Sequence, residues 1–110
     1  MSGPQPGDAS EALRERVIAA LRSVYDPELP VNIYDLGLVY GVDVEPSGEV
    51  TVRMTLTAPG CPVAQFFPAQ VEAALAAVPG VTRARVELVW DPPWDASRMS
   101  EAARVQLGLA

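Results

Sequence analysis

At 110 residues with 49% apolar side chains, the chain can build one small core and has little room for a second domain. Eight arginines, no lysine and fourteen carboxylates leave a net charge of -6. That balance disfavours nucleic acid and anionic membranes, which both need a concentrated positive field. Histidine is absent and Cys61 is the one cysteine. No Ser-His-Asp triad, Cys-His pair, intrachain disulfide or self-sufficient Cys₄ metal site is available within one chain.

Residues 1–7 are rich in proline and glycine and read as a disordered lead-in to a single domain over 8–110. They carry neither the basic region nor the apolar run of a signal peptide. No apolar stretch approaches the roughly 20 residues of a membrane span. A lone thiol without a disulfide framework suits a reducing compartment, so the expected location is the cytoplasm.

Asp8 is the expected N-cap of a first helix, with Glu11 three residues on as in a capping box. Leu13, Val17, Leu21 and Val24 follow at spacings of four, four and three, one stripe of a helix reaching about Tyr25. Asp26-Pro27-Glu28-Leu29-Pro30 stops it, because each proline disfavours helical geometry in the residue before it. The loop to Gly37 carries three carboxylates, Asp26, Glu28 and Asp35.

Strands are expected over 38–45 and 49–57, joined by a Pro46-Ser47-Gly48 turn. In the second, Val50, Val52, Met54 and Leu56 face the core, and Thr51, Arg53, Thr55 and Thr57 face away. A second helix over 62–78 presents Phe66, Val71, Leu75 and Val78, with Pro68 bending it or delaying its start. A third strand over 81–90 places Ala84, Val86, Leu88 and Trp90 on one face. Asp91-Pro92-Pro93-Trp94 cannot continue a ladder and forms a rigid loop. A short helix over 97–107 then closes at Gly108. The order α-β-β-α-β-α gives an α+β domain whose three-stranded mixed sheet is backed by helices.

Chemistry is expected first at Cys61. With Pro62 as the first helical residue, Cys61 is the N-cap, and unpaired backbone N–H groups together with the helix dipole favour its thiolate. Gly60 allows close approach of a ligand. The plain alternative is an inert thiol packed as a small hydrophobe. The acidic loop either supplies oxygen ligands or a base, or simply caps turns through Asp26 and Asp35. Trp94, Pro92 and Pro93 offer an aromatic partner-binding patch, against the alternative that Trp90 is core and Trp94 clamps the last helix.

Asp26-Pro27-Glu28, Asp35-Leu36-Gly37-Leu38-Val39-Tyr40, Thr55-Leu56-Thr57-Ala58-Pro59-Gly60-Cys61-Pro62, Trp90-Asp91-Pro92-Pro93-Trp94 and Met99-Ser100 together resemble the small iron–sulfur assembly domain of the SufT and PaaD type. The resemblance runs from the first helix to the end of the chain. It implies an α+β fold and a role in iron–sulfur protein maturation without catalytic turnover. It singles out Cys61 as the functional thiol and transient metal ligand, with Asp26, Glu28, Asp35 and Thr57 at the other motif positions. PaaD-type members carry an added cysteine-rich tail; here no cysteine follows Cys61, which points to the SufT-type branch.

One thiol cannot hold a cluster that takes four cysteine ligands. The resemblance therefore implies a transient cluster or iron, none permanently bound by one chain. A second copy of the chain, a client, a small thiol or the carboxylates would complete the site. The implied partners are SUF-type assembly proteins and iron–sulfur client apoproteins. Two other readings stay open: an adaptor bridging client and scaffold around a structural cysteine, and, weakest for want of a histidine base, an enzyme with a Cys61 nucleophile.

Overall fold

Two apolar stripes with the same spacing build the helical layer. The computed structural model describes residues 6–26, 29–57 and 63–108. Helix α1 spans Pro6–Leu21 and buries Leu13, Val17 and Leu21. It begins two residues before the expected Asp8 cap, because a proline fits the first turn, where its missing N–H loses no helical bond. It also ends at Leu21 rather than near Tyr25. There Ser23 and Val24 donate to the Ala20 and Leu21 carbonyls in tightened turns, and the Val24 carbonyl is claimed by the Ile33 N–H at 2.9 Å.

Helix α2 spans Val63–Ala76 and runs on through Pro68. Its buried stripe is Phe67, Val71 and Leu75, and Val78, just past its end, is buried as well. Phe66, expected inside, is 59% exposed. The reason is helical phase: Phe67 lies four residues before Val71, and Phe66 lies five before it.

Strands β1, Val39–Val44, and β2, Glu49–Met54, form the expected antiparallel hairpin. Its turn is closed by the Gly48 N–H on the Glu45 carbonyl at 2.9 Å, with Gly48 at φ +95. Strand β3, Arg83–Leu88, pairs parallel to β2 after the α2 crossover, so β2 is central and the sheet is mixed. Helix α1 packs on β1 and α2, and α2 packs on β3. Side chains from both helices reach over the sheet rims. Arg14 donates to the Val42 carbonyl of β1, and Glu72 of α2 accepts the Val86 N–H of β3 at 2.8 Å.

The 22–38 loop is not a surface excursion: Val31, Ile33, Leu36 and Leu38 are all fully buried. Two departures from strict alternation occur around the strands. The β1 register slips between Val39 and Gly41, a bulge that takes Tyr40 out of the ladder. Beyond β2, Thr55 is buried as well as Leu56: the Thr55 N–H carries the pairing on to the Leu38 carbonyl at 2.8 Å, and the Trp90–Trp94 loop lies beside Thr55.

The C-terminal segment is a 3₁₀ turn, Ala96–Arg98, then helix α3, Glu101–Gln106, instead of one helix over 97–107. Each piece has its own cap. The Asp95 carboxylate accepts the Ser97 N–H, and the Ser100 hydroxyl accepts the Ala103 N–H. Hydrogen bonds from the Ser97 hydroxyl and N–H, with Arg98 nearby, hold the Asp95 pKa below the usual carboxylate value. Gly108 follows α3 at φ +75, as expected of a C-cap glycine.

Candidate functional site

The expected site residues fall into two groups. Glu28, Gly60 and Cys61 lie outside the described residues. Asp26, Asp35, Thr57, Pro92, Pro93 and Trp94 are placed.

Asp26 is buried at 8% exposure, and its carboxylate accepts the Leu29 N–H at 2.8 Å. Its own N–H donates to the Val31 carbonyl at 3.1 Å. A carboxylate that accepts the N–H three residues on makes the same local bond as a helix-capping side chain, so Asp26 ties the start of the acidic loop to Leu29. Asp35 is held at the other end of such a pattern, with Asn32 as the side chain three residues ahead. Its carboxylate accepts from the Asn32 amide at 2.8 Å, and its N–H donates to the Asn32 side-chain oxygen at 2.8 Å.

Asp35-Leu36-Gly37 also forms the seat for the C-terminal segment. The Asp35 carbonyl accepts the Ser100 N–H at 2.8 Å, and the Leu36 carbonyl accepts the Trp94 indole N–H at 2.8 Å. Gly37, at φ +85, packs against the Arg98 backbone. From the bulge, the Tyr40 hydroxyl reaches the Pro92 carbonyl at 2.7 Å, and the Arg98 guanidinium stacks on the Tyr40 ring, 4.7 Å from its centroid. The two distant motifs are therefore the two halves of one interface. The peptide bond between Asp91 and Pro92 in that loop is cis.

Trp94 is half-buried and clamps the loop, whereas Trp90 is not core: it lies beyond β3 and is 42% exposed. Between these tryptophans, Thr55, Leu56, Thr57 and Pro93 enclose a cleft of about 190 Å³. Thr55 lines it, and the Thr55 hydroxyl is buried without a hydrogen-bond partner among the described residues. Sequence reasoning missed Thr55 and the exposure of Trp90, because strict β alternation put one on the wet face and the other in the core.

Among the described residues, no three carboxylates gather closely enough to hold a metal ion. Asp26 and Asp35 are thus not brought together with a third acidic group there. Along the chain, Cys61 stands four residues after Thr57 at the cleft and two before Val63, the first residue of α2.

A model of the iron–sulfur cluster assembly protein family matches residues 14–88. An Fe-S protein maturation auxiliary factor of Porphyromonas gingivalis is 50% identical over 95 residues, covering 86% of this chain and 90% of that protein. The Fe-S protein maturation auxiliary factor SufT of Staphylococcus aureus is 45% identical over 87 residues, covering 79% of this chain and 99% of its own length. A domain of unknown function from Bacillus anthracis, solved as a crystal structure, superposes with a TM-score of 0.84 at 40% identity, over 93% of this chain and 97% of that one.

Proposed function

The chain belongs to the iron–sulfur cluster assembly protein family, and from that premise we propose that it is an accessory factor in the assembly or delivery of iron–sulfur clusters to client apoproteins. The observation that carries this reading is the match over nearly whole lengths to proteins named as maturation auxiliary factors. The cluster is cargo here, and the protein is a factor without turnover of its own.

Cys61 is the group that touches the cargo. A thiolate is a soft ligand suited to iron–sulfur centres, whereas hard cations prefer oxygen. A cluster ordinarily takes four such ligands, and this chain has one. The remaining ligands come from the assembly protein that hands the cluster over and the client that receives it, so the chain holds it only in passing. Asp26 keeps the acidic loop in shape, as its bond to the Leu29 N–H indicates. Thr57 and Trp94 line the cleft from its two sides. The partners are SUF-type assembly proteins and apoproteins, met in the cytoplasm. Among the described residues no helix is long and apolar enough to cross a membrane.

Deleting the protein is expected to lower the activity of iron–sulfur dehydratases, most under iron limitation or oxidative stress, while their polypeptide levels stay near normal. Equal loss of polypeptide and activity would point to a role in synthesis or folding instead. The thiol has its own test. Cys61 alkylation followed against pH is expected to have its midpoint below the free-thiol value of about 8.5. A midpoint at or above that value would leave an inert thiol.

A further inference from the structure

We propose that the cavity shared by the Tyr34–Tyr40 stretch and the Pro92–Arg98 segment binds a small carboxylate, with the Arg98 guanidinium as its anchor. Tyr34, Gly37, Val39 and Tyr40 line it from the first segment, and Pro92 and Arg98 from the second. Its volume of about 550 Å³ lies in the size class of small-ligand sites. Two tyrosine rings, Val39 and Pro92 give it apolar wall, and Arg98 is the one charged residue among the described residues that line it.

Charge sets the sign of the ligand. The chain carries a net charge of -6, yet no carboxylate lines this cavity. A cavity of similar volume beside β1 is lined by Glu11, Asp43, Glu45 and Glu87, and its two arginines are occupied. Arg14 donates to the Val42 carbonyl there, and Arg53 to the Asp43 carboxylate. Arg98 instead stacks on the Tyr40 ring and donates to no acceptor among the described residues. Asp95 lies near it but gives its carboxylate to Ser97, and no ion pair joins the two. A ligand of opposite charge is the complement to such a group.

Position sets the form. The Arg98 backbone packs on Gly37, whose φ of +85 and close neighbours leave no room for a Cβ. The Tyr40 ring under the guanidinium is fixed by its own hydroxyl on the Pro92 carbonyl. An arginine held at both ends has less freedom to lose on pairing, and one stacked by its face keeps its in-plane N–H fork for a planar carboxylate. Arg98 is exposed, so that fork is open to a ligand. Half-buried Tyr34 brings a hydroxyl with no partner among the described residues, and Arg22 on its ring, 4.9 Å from the centroid, adds positive charge beside that wall. A short-chain organic acid and the glutamate side chain of a partner share this chemistry, and experiment separates them. The site stands apart from the delivery reading, since its occupancy is read without any cluster present.

In a ¹⁵N-labelled sample the backbone amide signals of Gly37, Val39 and Tyr40 report on the cavity. Titration with sodium butyrate at constant ionic strength is expected to shift them and to saturate in the millimolar range. Butyramide, the neutral isostere, is expected to bind about fivefold more weakly or worse. Arg98→Gln keeps the stem that packs on Gly37 and removes the charge; it should cost about five- to tenfold in butyrate affinity. Arg98→Lys should fall between, because it keeps the charge without the fork. Inorganic phosphate should bind more weakly than butyrate. The α-amide of N-acetyl-glutamate carries backbone on both sides: binding as tight as that of butyrate assigns the site to a partner's side chain, and its exclusion assigns the site to a free acid. Absence of saturable shifts, equal binding of butyramide, or indifference to Arg98→Gln would overturn the site. Phosphate binding as tight as that of butyrate would overturn its assignment to carboxylates.

Discussion

A Cys61→Ser chain, supplied to cells lacking the protein, is expected to leave iron–sulfur dehydratase activity at the level of the deletion. The hydroxyl that replaces the thiolate is a hard, protonated and far poorer ligand for an iron–sulfur centre. The substitution is nearly isosteric, so the thermal midpoint should move little, and the folded variant provides its own control. Asp26→Ala is expected to fall between the two states. It removes the carboxylate that accepts the Leu29 N–H, at a cost of about 1 kcal/mol, while sparing the thiol. Full rescue by a folded Cys61→Ser chain would transfer the proposal to a bridging adaptor with a structural cysteine. Rescue failure by Asp26→Ala as complete as that of Cys61→Ser would make Asp26 part of the cargo site.

Gly37→Ala is expected to destabilise the fold strongly for a change of one methyl group. Gly37 has φ +85, where an L side chain is strained, and a Cβ there falls against the Arg98 carbonyl and within 2.8 Å of the Arg98 Cβ. Backbone strain of about 1–2 kcal/mol adds to an overpacking cost of about 1–3 kcal/mol. The sum, about 3 kcal/mol, corresponds to a fall in thermal midpoint of roughly 12–20 °C. Gly108→Ala provides the comparison: its φ is +75, but nothing lies within 4 Å of the added Cβ. Its loss should be about 1 kcal/mol. Equal losses at the two positions would mean that the packing of Arg98 on Gly37 is not what the glycine serves.

Element order was legible in the sequence because it rests on local periodicity. The stripe of Leu13, Val17 and Leu21 and the alternation of Val50, Val52 and Met54 each repeat over several residues, and burial follows both. Single positions at element ends were less legible, because distant partners decide them. Thr55 is covered by the Trp90–Trp94 loop, and the chain after helix α1 is held where Ile33 takes the Val24 carbonyl. Trp90 is wet because β3 ends two residues before it.

The site shows the same division. Asp26 and Asp35 stood out as carboxylates, but their bonds to Leu29 and Asn32 come from the folded loop. Nothing local marks Leu36 as the acceptor for Trp94, 58 residues away. The bulge that frees Tyr40 to reach Pro92 has no signature in the alternating pattern around it.

The side chains at the two rims of the sheet constrain how the molecule meets others. A small open sheet exposes backbone groups on its outer strands, and any extended peptide, including another copy's strand, can add to them. Here the Val42 carbonyl on one rim is taken by the Arg14 guanidinium, and the Val86 N–H on the other by the Glu72 carboxylate. An incoming strand would have to displace a charged group from the middle of either rim before it could form a continuous ladder. Growth of the sheet from one molecule to the next is thereby discouraged at both ends.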